Sequence, residues 1–213
     1  MPTPFSVDET LAGIVGPAVL WWHGATVTER PASLDAVITA VSAAVVAAPP
    51  SDVQAVREMY RRIGLDPTKT RPSNEALLRR VRRGEPFPRV NALVDAVNLC
   101  SLECQLPYGV YDRAALSGPV TLRLGHEGEA YAGIRKDTVH VTGRVTVADD
   151  RGPFGNPTSD SARAMVTGAT CDALIVVYAP RGTAAFTLAR VLDLTTARVE
   201  TAVGGHEEAR WTA

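Results

Sequence analysis

The chain has 213 residues, 46% of them hydrophobic, and a formal charge of -1. That is enough apolar material for one core of moderate size and too little net charge for a general nucleic-acid coat protein, and no DNA partner is expected. No run reaches about 18 uninterrupted apolar residues, and the start MPTPFSVDET lacks a basic segment ahead of an apolar one, so neither a membrane span nor a signal peptide is expected and the protein reads as cytoplasmic.

In chain order, Leu11 to Thr28 reads as one or two strands interrupted by Gly and Pro, with Trp21 and Trp22 pointing to opposite faces. One of these tryptophans is expected to be exposed or covered by a neighbour. Ser33 can cap a helix running to about Ala48, apolar and small enough to be buried on most sides, and Pro49 and Pro50 end it. Ser51 caps a second helix through Arg62, closed by Gly64, and a third spans about Ser73 to Arg83. Between Gln54 and Arg89 stand ten basic and four acidic residues, a local charge of +6 that leaves -7 for the remainder. Such polarity either steers RNA to one side or belongs to solvated Arg-rich helices.

The stretch that organises the chain is Pro88 to Asp112, PRVNALVDAVNLCSLECQLPYGVYD. At 100° per residue Val90, Leu93, Val97, Cys100 and Cys104 fall on one side, and Asn91, Asp95, Asn98 and Gln105 on the other. Asn and Asp are poor helix formers, so a polar face built from them points to directed hydrogen bonding, either to buried loops or to a ligand. The period then shifts to β: Pro119 to Leu124, Glu129 to Ile134, Thr138 to Val141 and Val145 to Ala148 form an antiparallel meander. Asp149 to Ser161 is a polar loop offering Asn156, Thr158, Ser159, Asp160 and Ser161, with Arg163 just beyond. These residues serve equally as turn and cap groups or as binding groups. Ala173 to Ala179 is a continuous apolar run suited to a central strand, and a last helix spans about Thr183 to Val203.

The four histidines fit no zinc spacing, so no metal site is expected; His126 and His140 read as ordinary strand or turn residues. Cys100 and Cys104 behave as small hydrophobes on the helix. No nucleophile elbow, triad, GxGxxG or P-loop is present, which argues against covalent catalysis and a nucleotide cofactor; no cofactor is expected.

The runs VNALVDAVNLCSLE, LPYGVYD and GHEGEAY, kept in that order between about Arg61 and Pro180, resemble the B3/B4 domain of the bacterial phenylalanyl-tRNA synthetase β subunit and the free-standing proteins built on it. The resemblance implies a single α+β domain over 1–213, a largely antiparallel sheet flanked by helices. It also implies the editing chemistry of that domain, hydrolysis of tyrosine wrongly attached to the phenylalanine tRNA. Of the family's Thr-Asn pair, Asn98 is kept and Val97 replaces Thr. Of the His-Ala-Phe-Asp motif, Gly109 replaces His, while Tyr111 and Asp112 keep the aromatic and the acid. Tyrosine specificity therefore does not carry over.

Asn98 as oxyanion donor and Asp160 as the carboxylate are the catalytic candidates under this resemblance. Asn91, Tyr108, Tyr111, Asp112, Asn156 and Ser159 are the substrate-binding candidates, and Arg79, Arg80, Arg83 and Arg89 are the phosphate-binding ones. The expected partner is a tRNA or the 3′ end of an aminoacyl-tRNA, hydrolysed or bound in trans. The alternatives are a non-catalytic module that binds RNA or an amino acid without turnover, and a pocket recruited to a small amino-acid-like ligand, such as a free amino acid, with no RNA.

Overall fold

The structure, a computed structural model, describes residues 3–48, 53–134 and 136–213. The elements run β1 (Phe5–Val7), α1 (Glu9–Ala12), β2 (Ala18–His23), α2 (Asp35–Ala47), α3 (Val53–Arg62), α4 (Ser73–Arg82) and α5 (Ala92–Cys104). They continue with β3 (Tyr108–Asp112), β4 (Val120–Leu124), β5 (Ala130–Gly133), β6 (Lys136–His140), β7 (Val145–Asp149), β8 (Gly152–Gly155), β9 (Ala173–Val177), α6 (Ala185–Val203) and β10 (His206–Thr212). The fold is α+β, as expected.

One sheet has the order β10-β2-β9-β3 and is antiparallel throughout; another has the order β1-β4-β7-β8, with only β1 and β4 parallel. The strand period of two divides the first sheet between two cores. Ala18, Leu20 and Trp22 of β2 with Ala173, Ile175 and Val177 of β9 face the helices, where Leu93, Leu99, Val191 and Val199 meet them. Val19 and Trp21 with Leu174 and Val176 face the second sheet, against Val120, Leu122, Val147 and Phe154. The two tryptophans do point oppositely, and both are buried because each side of the sheet is covered. The layers are helices, sheet, sheet.

Several expectations are corrected. The β4-to-β7 region is no simple meander: β4 pairs with β7 directly, and β5 and β6 form a separate hairpin between them. The 149–161 stretch contains a strand, β8, and the chain after Gly205 returns as β10 to cover the β2 edge. Helix α2 buries only Ile38 and Val41 rather than most of its surface, and a 3₁₀ turn, not the Ser33 side chain, opens it. The expected stop at Pro49 and Pro50 and the cap at Ser51 lie outside the described residues.

Helix α5 is the hub, packed against α2, α4, α6 and β3, and it is buried nearly all round rather than along one stripe. Val90, expected on the apolar side, is 49% exposed, whereas Asp95 is fully buried. Asp95 Oδ1 accepts the Val90 N–H at 2.7 Å and Oδ2 accepts Arg89 Nε at 2.6 Å. Arg89 reaches on to Asp35 at 2.5 Å and to the Pro31 carbonyl at 3.2 Å. Asn91 caps the helix, its Oδ1 accepting the Val94 N–H at 3.0 Å.

Removing one member of a buried pair leaves the other charge uncompensated, whereas an exposed member contributes little. Asp95→Ala is therefore expected to lower unfolding stability by about 3–5 kcal/mol. Asp35→Ala, whose carboxylate is 62% exposed, should cost less than about 1 kcal/mol. Urea midpoints of the two variants check the contrast.

Candidate functional site

Asn98 is half-buried on the flank of α5 that α4 approaches. There it lines a groove of about 510 Å³ with Arg71, Arg79, Arg80, Arg83 and Thr158. Asn98 has no side-chain hydrogen bond among the described residues, and neither Arg79 nor Arg83 has a side-chain hydrogen bond or ion pair among them. Arg80 donates to the Pro86 carbonyl at 2.7 Å and lies 3.7 Å from Glu85, so it is steered but still exposed. The floor also holds Ser73, the first residue of α4, whose Oγ is buried with no hydrogen bond, and Arg71, whose Nε lies 3.4 Å from Glu75 Oε1. No side chain caps α4, so its N-terminal dipole adds to the positive field. Much of the remaining basic surplus is internal: Arg57 grips Glu75 with two bonds, Arg62 donates to the Gly13 carbonyl, and Arg82 donates to the Val45 and Ala48 carbonyls.

The other candidates fall elsewhere. Arg89 is held in the Asp95 and Asp35 tie and does not line the groove. Asn91 is the α5 cap. Tyr108 lies in the helix-side core, its hydroxyl 3.1 Å from Thr195 Oγ1. Asp112 caps the 3₁₀ turn after β3 through the Ala114 N–H and accepts the Thr170 hydroxyl at 2.7 Å. Each of these four has a complete structural role. Arg163, singled out with the loop, forks onto Asp149 at 2.9 Å by both nitrogens.

Tyr111, Asn156, Ser159 and Asp160 gather between the sheets. Asn156 Oδ1 accepts the N–H groups of Thr158 and Ser159, and its Nδ2 donates to the Tyr131 hydroxyl at 2.8 Å, so one amide shapes the 156–159 turn. The Tyr131 hydroxyl in turn donates to the Ser159 carbonyl at 2.5 Å. Tyr111, fully buried, has its hydroxyl 2.8 Å from that of Tyr178. Asp160 turns its carboxyl into this cluster, where Oδ1 is sealed from solvent with no partner. Burial lifts that carboxyl to about 7, opposed by the nearby Tyr111 hydroxyl. Burial also pushes the Tyr111 and Tyr178 hydroxyls well above the usual phenol range.

Tyr111 fills the space beside Gly109 and Gly155; a Cβ at either glycine would stand 2.6 Å from Tyr111 Cζ. Asn98 and Asp160 are thus not neighbours across one pocket: Asn98 opens on the groove, and Asp160 lies among the tyrosines. Thr158 links the two regions, lining the groove while its hydroxyl sits 3.2 Å from that of Tyr60. Tyr131, Tyr178, Arg71 and Ser73 escaped the sequence reading. Alternation along Glu129 to Ile134, and the lone tyrosine next to the end of ALIVVYA, were the signals available for the first two. The described residues contain no group of three or more His, Cys, Asp or Glu able to hold a metal.

The chain is an α+β domain with a groove of arginines on one flank of its helical hub and an enclosed carboxyl among tyrosines. Residues 55–202 match the B3/4 domain family, and the chain belongs to that family. It is 34% identical over 65 residues to the phenylalanine–tRNA ligase β subunit of Paramagnetospirillum magneticum, a match covering 30% of this chain and 8% of that protein. Its fold is similar to that of an N-terminal fragment of the phenylalanyl-tRNA synthetase β subunit from Pyrococcus horikoshii. The TM-score is 0.50 at 13% identity, over 100% of this chain and 55% of that one. The chain thus spans only part of the proteins it matches. No helix among the described residues is long and apolar enough to cross a membrane.

Asp160 makes a pH prediction. Its carboxyl titrates near 7 in the folded chain against a reference of 3.8, so between those values the folded state holds a proton that the unfolded state has released. Asp160's contribution is greatest below pH 3.8 and is lost as pH rises to 7. Asp160→Asn should remove that fall, making the variant more stable than wild type at pH 8 relative to pH 5, as read from urea midpoints at the two pH values.

Proposed function

We propose that this chain binds the 3′ end of an aminoacyl-tRNA in trans, laying the phosphates along the arginine groove so that the terminal ester comes to Asn98. The observation carrying this reading is that Asn98, the one kept residue of the family's Thr-Asn pair, shares a groove with unpaired arginines on α4. Guanidinium groups fork onto phosphate oxygens, and an uncapped helix N-terminus favours the same charge. Work on an aminoacyl-tRNA belongs in the cytoplasm.

Neutralising phosphates makes binding salt-dependent. For a fluorescently labelled tRNA acceptor strand, anisotropy titrations should show affinity falling steeply with salt. The double variant Arg79→Ala/Arg83→Ala should reduce the log–log slope by about 1.4, at roughly 0.7 for each single-strand phosphate that is no longer neutralised. Binding indifferent to salt, or unchanged in the double variant, would reject the groove as the RNA site.

A second reading, hydrolysis, is supported by the free Asn98 amide. Water attacks the ester carbon, the amide donates to the oxyanion, and the ribose oxygen leaves with a proton, releasing free amino acid and tRNA. An activated ester needs only a positioned water and a fixed donor. Against a panel of mischarged tRNAs, Asn98→Ala should deacylate about 10²–10³-fold more slowly than wild type, the usual cost of one oxyanion donor. Absence of release by folded wild type would leave binding without turnover, in keeping with Gly109 in the place of the family's imidazole.

A further inference from the structure

We propose that His23 and His206 form a binding site for a divalent transition-metal ion of the zinc or nickel type, with Asp172 orienting the first of the two imidazoles. The three residues are remote in the chain, and the β10-β2-β9-β3 sheet brings them together at one end. His23 ends β2, His206 begins β10, and the two are direct partners in the antiparallel register; Asp172 lies just ahead of β9. Side chains paired in this way leave the same face of a sheet with their Cβ atoms about 5 Å apart. Both histidines are exposed, and their ring centroids stand 5.4 Å apart. Two imidazoles that share one tetrahedral ion, with each nitrogen about 2.1 Å from it, place their centroids about 5 Å apart. The strand register thus sets the spacing that the ion requires.

The ring orientation is fixed as well. His23 Nδ1 donates to Asp172 Oδ1 at 2.8 Å, and the Gly24 N–H donates to the same oxygen at 3.2 Å, so the carboxylate is pinned between ring and main chain. A neutral imidazole that donates from Nδ1 keeps its lone pair on Nε2, and a carboxylate on the far nitrogen is the usual arrangement behind a metal-binding histidine. On the β10 side, Trp22 Nε1 donates to the Gly204 carbonyl at 2.9 Å. Gly205, at φ 77°, packs so closely that a Cβ there would stand 2.3 Å from the His23 carbonyl oxygen. The chain therefore delivers His206 to one place beside His23.

Among the described residues no third His, Cys, Asp or Glu completes the set, so the remaining coordination positions face solvent or a further ligand. Imidazole donors select zinc, copper or nickel over magnesium. Cys171, the exposed thiol next to Asp172, has its sulfur 3.7 Å from the Ala169 carbonyl and is not part of the pair. None of these residues lines the arginine groove, and the site stands independently of the RNA reading.

Isothermal titration of the full chain, free of any histidine tag, with zinc chloride and with nickel chloride tests it. Saturable binding of one ion per chain is expected, and magnesium chloride should give none. His23→Ala and His206→Ala, both surface changes, should each weaken binding at least tenfold. Asp172→Ala should weaken it about 10–100-fold, the usual loss when such a carboxylate is removed. The double variant His126→Ala/His140→Ala, which removes the other two histidines, should bind like wild type, as should Cys171→Ser. In proton–nitrogen spectra of the histidine side chains, zinc should move the His23 and His206 signals and leave those of His126 and His140 in place. No saturable binding of either ion at millimolar concentration would overturn the proposal and leave only an edge-to-face ring contact. So would equal binding by either single histidine variant, or loss of binding in Cys171→Ser. Equal binding by Asp172→Ala would overturn the orienting role.

Discussion

The buried Asp95 carboxylate is the constraint on which the rest of the structure depends. A charge with no exposure persists only where its lone pairs are taken, and here they are taken by the Arg89 guanidinium and the Val90 N–H. Those bonds fold the chain ahead of α5 back onto its first turn and fix the rotation of the helix about its axis. Once that rotation is set, Leu93, Ala96 and Cys100 enter the helix-side core, and Asn98 is left on the flank that α4 approaches. Arg89 also reaches Asp35, so α2 is tied to the same point. One carboxylate thereby ties α2 to the first turn of α5.

Strands with a clear period of two were the most legible part of the sequence. The ALIVVYA run sits between β2 and β3, both of its faces covered, as a continuous apolar stretch requires. The opposed tryptophans were legible for the same reason. What escaped was structure whose sequence carries other signals more strongly. HEEARWT reads as charged surface because β10 is an edge strand with alternating exposure, and β8 hides in a Gly/Pro-rich stretch because it is short and ends the sheet. Helix α2 misleads in the other direction. Ala and Val suit burial, yet only two of its residues are covered.

The site shows the same division. A cluster of like charge is visible in sequence, and three of the four arginines chosen from it do meet Asn98. Which arginine is diverted into an ion pair depends on Asp95 and Asp35, one of them remote in the chain, and no local pattern records that. The polar residues of α5 and of the 156–161 loop divide into caps, turn-formers and one enclosed carboxylate. Asn91, Asp112 and Asn156 each satisfy neighbouring backbone N–H groups, the ordinary work of short polar side chains. Only tertiary packing separates them from Asp160, whose oxygen faces phenols instead of main chain.

The fit of Tyr111 against Gly109 and Gly155 has a consequence beyond this chain. Three positions on two strands, β3 and β8, occupy one volume, so they cannot vary independently. A relative carrying a larger side chain at either glycine must shrink or redirect the aromatic at the position of Tyr111, and a relative that loses the aromatic gains room for a side chain at 109. Glycine at 109, glycine at 155 and the present setting of the Tyr111 ring are therefore one packing unit. In an alignment, these three columns should change together.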